Sequence, residues 1–140
     1  MLQSVLNIFH KMNHINLKLR EKLISHTSRY LGYKIRTIRE EKKLTREIVV
    51  ESTSISKNTL LRTECGLCCT INSSMRVLME VAAYKSFDID YKIWASMLTD
   101  MVIDVCEVPG MERYRKEIEA SIILKMEKVL QEIEEERKHK

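Results

Sequence analysis

The chain has 140 residues, enough for one domain with an extension and for a sizeable buried core. With 3 Gly and 1 Pro it is too poor in turn residues for a β-sandwich or barrel, and helix formers such as Leu, Glu, Lys and Arg abound, so the expected class is all-α. The net charge of +4 is uneven: residues 1–30 carry five Lys/Arg against one Glu, residues 31–66 eight against five, and residues 67–110 three against six, which puts the positive potential in the first half, where a polyanion would be met.

No apolar run approaches about 18 residues, so no membrane partner is expected. The N-terminus is apolar through Phe9 but lacks a basic lead and a small-residue cleavage site. Together with four Cys and eight Met, this suits a reducing cytoplasm rather than a disulfide framework.

Taken in chain order, Leu2, Val5, Leu6, Phe9, Met12, Leu19 and Leu23 recur at helical spacing and predict an N-terminal helix within residues 2–26, with a break at His14–Asn16. Residues 31–42 place Leu31, Ile35 and Ile38 on one face of a short amphipathic helix. Thr45 is positioned to cap a second short helix that buries Ile48 and Val49 and runs to about Ser52. Thr53-Ser54-Ile55 follows as a three-residue turn, and Ser56 caps a third helix that stops at Gly66. Asn72 or Ser73 is expected to cap a fourth helix with Val77, Leu78 and Val81 inward. Asp88 is expected to cap a fifth, whose apolar face runs from Ile93 to Val105. After the break at Pro109-Gly110, residues 111–137 read as one long helix.

Two short helices joined by a three-residue turn make a helix-turn-helix unit, whose second helix lies in the DNA major groove. Residues 56–65 suit that role: Lys57, Asn58 and Arg62 are polar, Thr59 lies beside them, and Leu60 points inward. Asn and Arg can each meet a base edge with two hydrogen bonds, and Lys57 and Arg62 can neutralise phosphate.

Residues 31–93 resemble the helix-turn-helix domain of phage repressors and Cro proteins, the XRE family. The likeness rests on Leu31-Gly32-x-x-Ile35-Arg36-x-Ile38-Arg39-Glu40-Glu41-Lys42, Leu44-Thr45, Ile55-Ser56-Lys57-Asn58-Thr59-Leu60, Glu64-x-Gly66 and Asp88-Ile89-Asp90. It implies a five-helix domain, here with an extra N-terminal helix and a long C-terminal helix. It also implies that Arg46 touches DNA backbone or base, that Ser56, Lys57, Asn58 and Arg62 face the groove, and that Arg39 and Glu64 form an internal salt bridge. The chain departs from the family pattern at Ser54, Lys43 and Ser86, where Gly is usual, at Val50, where a small Ala is usual, and at Thr63, where the core residue is usually apolar. Its 67–73 loop has no basic residue.

Other chemistry finds little support. Cys65, Cys68 and Cys69 suggest a metal half-site or a thiol switch. The remaining Cys106 lies on another helix and no second knuckle exists, so these are read as small core residues and no metal is expected. His10 and His14, four apart, have no acidic or Cys partner nearby. There is no nucleophile elbow and no phosphate-cradling Gly loop, so neither an enzyme nor a cofactor is expected.

The long C-terminal helix carries Tyr114, Ile118, Ile122, Met126, Val129 and Ile133 on one side. That row either packs back on its own domain or meets a second copy; the apolar surface exceeds what a small repressor domain needs, which favours a dimer. The expected organisation is therefore an N-terminal helical extension (1–30), a helix-turn-helix domain (31–93) and a C-terminal dimerisation region (94–140). The expected function is sequence-specific regulation of transcription by a cytoplasmic homodimer on double-stranded DNA. The alternative is an adaptor or antitoxin that uses the same fold to hold a protein partner.

Overall fold

The structure, a computed structural model, describes residues 17–67, 70–106 and 110–139. Among them are six α-helices, a short 3-10 helix and no strand: α1 (Leu17–Glu41), α2 (Arg46–Ser52), α3 (Lys57–Glu64), α4 (Ile71–Ala82), α5 (Tyr91–Cys106), the 3-10 turn Met111–Tyr114 and α6 (Arg115–Lys138). The protein is all-α, and none of these helices is long and apolar enough to cross a membrane. The chain divides into two compact units, one drawn from Met1–Thr27 and Asp90–Glu127, the other from Ser28–Ile89 and Lys128–Lys140.

The second unit begins inside α1. Two separate helices are expected around residue 30, but α1 continues without interruption from Leu17 to Glu41. The polar stretch Ser25-His26-Thr27-Ser28 breaks the apolar period without breaking the backbone, and Thr27 and Ser28 are themselves buried. The expected break at His14–Asn16 and the apolar residues Leu2 to Met12 lie outside the described residues. The end of α1 is closed by a Schellman motif: the Leu44 N–H donates to Arg39 O and the Lys43 N–H to Glu40 O, both at 3.0 Å. Lys43 takes φ 57° there, so a lysine occupies the left-handed position that glycine adopts without steric cost.

Local side chains start the next three helices. Thr45 accepts from the Ile48 N–H at 3.2 Å and Ser56 from the Thr59 N–H at 3.1 Å, each satisfying an orphan donor of the first helical turn. Helix α4 is capped by Thr70, which accepts from the Ser73 N–H at 3.1 Å, rather than by Asn72 or Ser73. All of these are short polar side chains within a few positions, and the helix takes the earliest. Helix α3 ends on a second Schellman motif, with Gly66 at φ 74° and the Leu67 N–H on Arg62 O at 2.9 Å.

Helix α4 is the centre of this unit. Ile71, Met75, Val77, Leu78, Met79, Val81 and Ala82 are all buried, so it is covered nearly all round. The end of α6 supplies part of that cover. Arg76 of α4 meets Glu136 at 2.5 Å and Glu132 at 3.9 Å, and Arg137 donates to Ala83 O at 2.8 Å while its guanidinium lies over the Phe87 ring. Lys42, from the end of α1, donates to Ala82 O at 2.6 Å. Burial, then the nearby Arg137 charge, holds the Lys42 ammonium below the ordinary lysine value. Two cations thus sit on the negative end of α4.

In the first unit, α5 and the start of α6 run antiparallel. Tyr91 donates to Glu127 Oε1 at 3.1 Å near one end, and Arg115 is bonded to Asp100 further along. Burial, then the Glu127 carboxylate, raises the Tyr91 phenol above its ordinary value. Leu23, Ala95, Leu98, Val102, Met111, Ile118, Ile122 and Met126 are buried here. Helix α5 starts at Tyr91 rather than after Asp88, whose own N–H donates to Ser86 Oγ at 3.2 Å. Gly110 turns the chain at φ 82°, and residues 111–114 form a 3-10 turn before α6.

The row Ile118, Ile122, Met126, Val129 and Ile133, expected to face a second copy, is buried within the single chain, with Tyr114 half-buried. Side chains already inside the core present no surface to a partner. The row therefore fills this chain's own interior, and any contact between copies would have to use other residues.

Candidate nucleic-acid interface

Helices α2 and α3 pack against each other across residues 53–56. The turn does not need glycine at Ser54, because the left-handed non-glycine positions among the described residues are Lys43 and Lys85. Thr53 holds the turn instead: its hydroxyl donates to Val49 O at 2.6 Å and accepts from the Ile55 N–H at 3.2 Å. Lys85, at φ 66°, precedes Ser86, so the left-handed corner after α4 falls one residue before the departure noted at Ser86.

Helix α3 has two opposite faces. Leu60 and Thr63 are fully buried, and Thr63 satisfies its hydroxyl by donating to Thr59 O at 2.7 Å, which lets a polar residue occupy an apolar site. On the other side Lys57, Asn58, Leu61, Arg62 and Cys65 are exposed. The inward face also carries Glu64, whose side chain is 1% exposed. Arg39 meets it in a fork, Nε to Oε2 and Nη2 to Oε1, both 2.9 Å, and Arg39 Nη1 donates to Leu44 O at 2.9 Å. The carboxylate thereby ties α3 to α1, and the same guanidinium ties the end of α1 to Leu44 at the start of the α1–α2 corner.

Arg46 joins the same carboxylate, Nη2 to Glu64 Oε1 at 3.3 Å. Its side chain is 34% exposed and its Nε is buried without a hydrogen-bond partner. Arg46 is thus half drawn into the interior cluster rather than standing free on the surface with the α3 residues. Two guanidiniums share one carboxylate, which leaves the cluster with a net positive charge at the first turn of α2.

Among the other residues expected to meet DNA, Ser56 and Thr59 are exposed but occupied: Ser56 caps α3 and donates its hydroxyl to Thr59 Oγ1 at 2.8 Å. Lys57 pairs with Glu47 at 3.1 Å, with both side chains well exposed. The Glu47 backbone N–H, then Lys57, holds the Glu47 carboxyl below the usual carboxylate range. Arg62 is exposed and donates to Leu67 O at 3.4 Å. The structure brings Lys57, Asn58 and Arg62 onto one exposed strip, with Thr59 at its margin. Sequence reasoning passes over Leu61, which is 44% exposed on that same strip. Its spacing, four after Lys57 and three after Asn58, marks the face; its apolar character hides it.

Cys65 is exposed, whereas Cys68, Cys69, His10 and His14 lie outside the described residues. Among the described residues no group of three His, Cys, Asp or Glu is arranged to hold a metal ion. No family model, curated protein or solved structure matches the chain.

Proposed function

We propose that the protein is a sequence-specific DNA-binding regulator of transcription with a repressor/Cro-like helix-turn-helix domain, reading the major groove through α3. The observation that carries this reading is the division of α3 into a locked inner face of Leu60, Thr63 and Glu64 and an exposed strip holding Lys57, Asn58 and Arg62. A helix that must hold side chains against base edges needs its own position fixed, and the Arg39–Glu64 fork and two caps do that. Asn58 and Arg62 supply base readout, and Lys57 and Arg46 place the backbone. A single short helix spans few base pairs, so the operator is read by a two-fold homodimer with half-sites about 10 base pairs apart.

Selection from a randomised duplex library by the purified protein tests the reading. The expected result is an enriched motif and an affinity that falls steeply with salt, by a log–log slope of about −0.9 for each phosphate neutralised. Arg62→Ala is expected to cost about 1–3 kcal/mol on the enriched site and to relax its sequence preference. A folded protein that enriches nothing overturns the reading. The adaptor or antitoxin reading then takes its place, favoured by Ile93 and Met97, which are exposed four residues apart on α5 and suit apolar contact with a protein.

A further inference from the structure

Leu61 stands at the middle of the exposed strip of α3. At 3.6 residues per turn its surface neighbours are Lys57 and Asn58 on the preceding turn, Arg62 beside it and Cys65 on the next. A lone exposed leucine on a protein surface is ordinary. This one is ringed by two cations and an amide, on the face that the DNA-binding reading presents to a polyanion. An apolar group there does nothing for phosphate. In the major groove, however, one base edge is apolar: thymine carries a C5-methyl group, and aliphatic side chains recognise it by contact.

We infer that Leu61 reads a thymine methyl in the major groove, next to the bases met by Asn58 and Arg62. The inference rests on the DNA-binding reading and adds a specificity residue to it. Burial of that methyl against Leu61 removes apolar surface from water on both sides, and cytosine, which lacks the methyl and offers an amino group instead, loses the contact. The flanking Lys57 supplies attraction without sequence content and Arg62 meets a neighbouring base, so discrimination at this base pair falls to the leucine.

The test uses the intact protein and the duplex it enriches from a synthetic, unmethylated library. Each thymine is replaced in turn by uracil, which deletes only the methyl. One thymine per half-site is expected to respond, with affinity falling about fourfold, the transfer value of one buried methyl or methylene. Leu61→Ala should bind the parent site about as weakly as the native protein binds the uracil site and show no further response to uracil. Leu61→Met should keep the response. An enriched site at which uracil is silent everywhere, or a uracil effect that survives in Leu61→Ala, overturns the inference and leaves the DNA reading intact. Failure to enrich any site overturns both.

Discussion

Gly32 of α1 lies directly on the backbone of α3: a Cβ built on it would stand 2.3 Å from Thr63 O and 3.0 Å from Glu64 O. Both obstacles are backbone atoms, which cannot swing aside as a side chain would. In an unencumbered helix, Ala in place of Gly would stabilise by about 1 kcal/mol. Here Gly32→Ala is expected to reverse that sign and lower stability by about 1–3 kcal/mol, because α1 and α3 must part to admit the methyl. Urea denaturation decides it; a variant as stable as the parent would show that the two helices have slack.

The same contact places Arg39 opposite Glu64. Glu64→Gln would leave the Arg39 and Arg46 guanidiniums facing each other at a buried site with no carboxylate between them. The expected loss is about 3–5 kcal/mol, the cost of breaking a buried pair on one side. Arg46→Ala should cost about 1 kcal/mol or less, since its bond is single, 3.3 Å long and partly exposed. Denaturant midpoints for the two variants give the order. A loss in Arg46→Ala equal to that in Glu64→Gln would mean that Arg46, rather than Arg39, is the partner that matters.

Two helices end on the same motif, but with different residues at the left-handed position. Gly66 closes α3 and Lys43 closes α1. A residue with a Cβ in that conformation is strained by about 1–2 kcal/mol relative to glycine, although glycine gives back part of this through its freer unfolded chain. Lys43→Gly is therefore expected to stabilise by up to about 1 kcal/mol and to raise the melting temperature by a few degrees, roughly 2–8 °C. Lys43→Ala, which keeps a Cβ, should not. Scanning calorimetry on the pair separates backbone relief from loss of the lysine charge.

These relationships show what the sequence carries and where it stops. The caps at Thr45 and Ser56 are legible because capping is local: the residue type, the spacing and the following apolar position suffice. Thr70 is harder, since Thr70, Asn72 and Ser73 compete within four positions. The continuity of α1 is hidden because Thr27 and Ser28 interrupt the apolar period while the backbone does not need them to be apolar. The Arg39–Glu64 fork joins residues 25 apart, and no local pattern pairs them; only the likeness to a family suggests it. For the row on α6, periodicity says that a face is buried but not by what, and burial within one chain and burial between two leave the same pattern. Leu61 is hidden because polar side chains mark a groove face and an apolar one reads as core.

The α6 row gives a direct test of which burial applies. Ile122 is fully buried in the chain. Ile122→Ala is expected to lower the stability of the fold itself by about 2–5 kcal/mol, the range for truncating a packed aliphatic side chain. Sedimentation of the folded fraction should show the same oligomeric state as the parent. Were the row a seam between copies, the variant would instead shift the association equilibrium and make stability depend on protein concentration. Denaturation at two concentrations tells these apart.

Glu47 opposes Lys57 on the exposed surface. It pairs with Lys57 at 3.1 Å, across the mouth of the α2–α3 pair, and both side chains face water. Under the DNA-binding reading, Lys57 must leave Glu47 before it can meet a phosphate, and Glu47 itself repels the incoming backbone. Glu47→Gln is therefore expected to raise affinity for duplex DNA about twofold to fivefold, within the range of an exposed ion pair. Acid should act in the same direction: the Glu47 carboxyl sits below the usual range, first because of its backbone N–H and then because of Lys57, so the pair persists at neutral pH and loosens only as pH falls through that lowered value. Lys57→Ala should weaken binding to all sequences alike and reduce the salt slope by about 1. Combining the two changes separates the two effects: if Glu47 acts by holding Lys57, Glu47→Gln gains little once Lys57 is gone, whereas an undiminished gain means that Glu47 acts by repelling DNA alone.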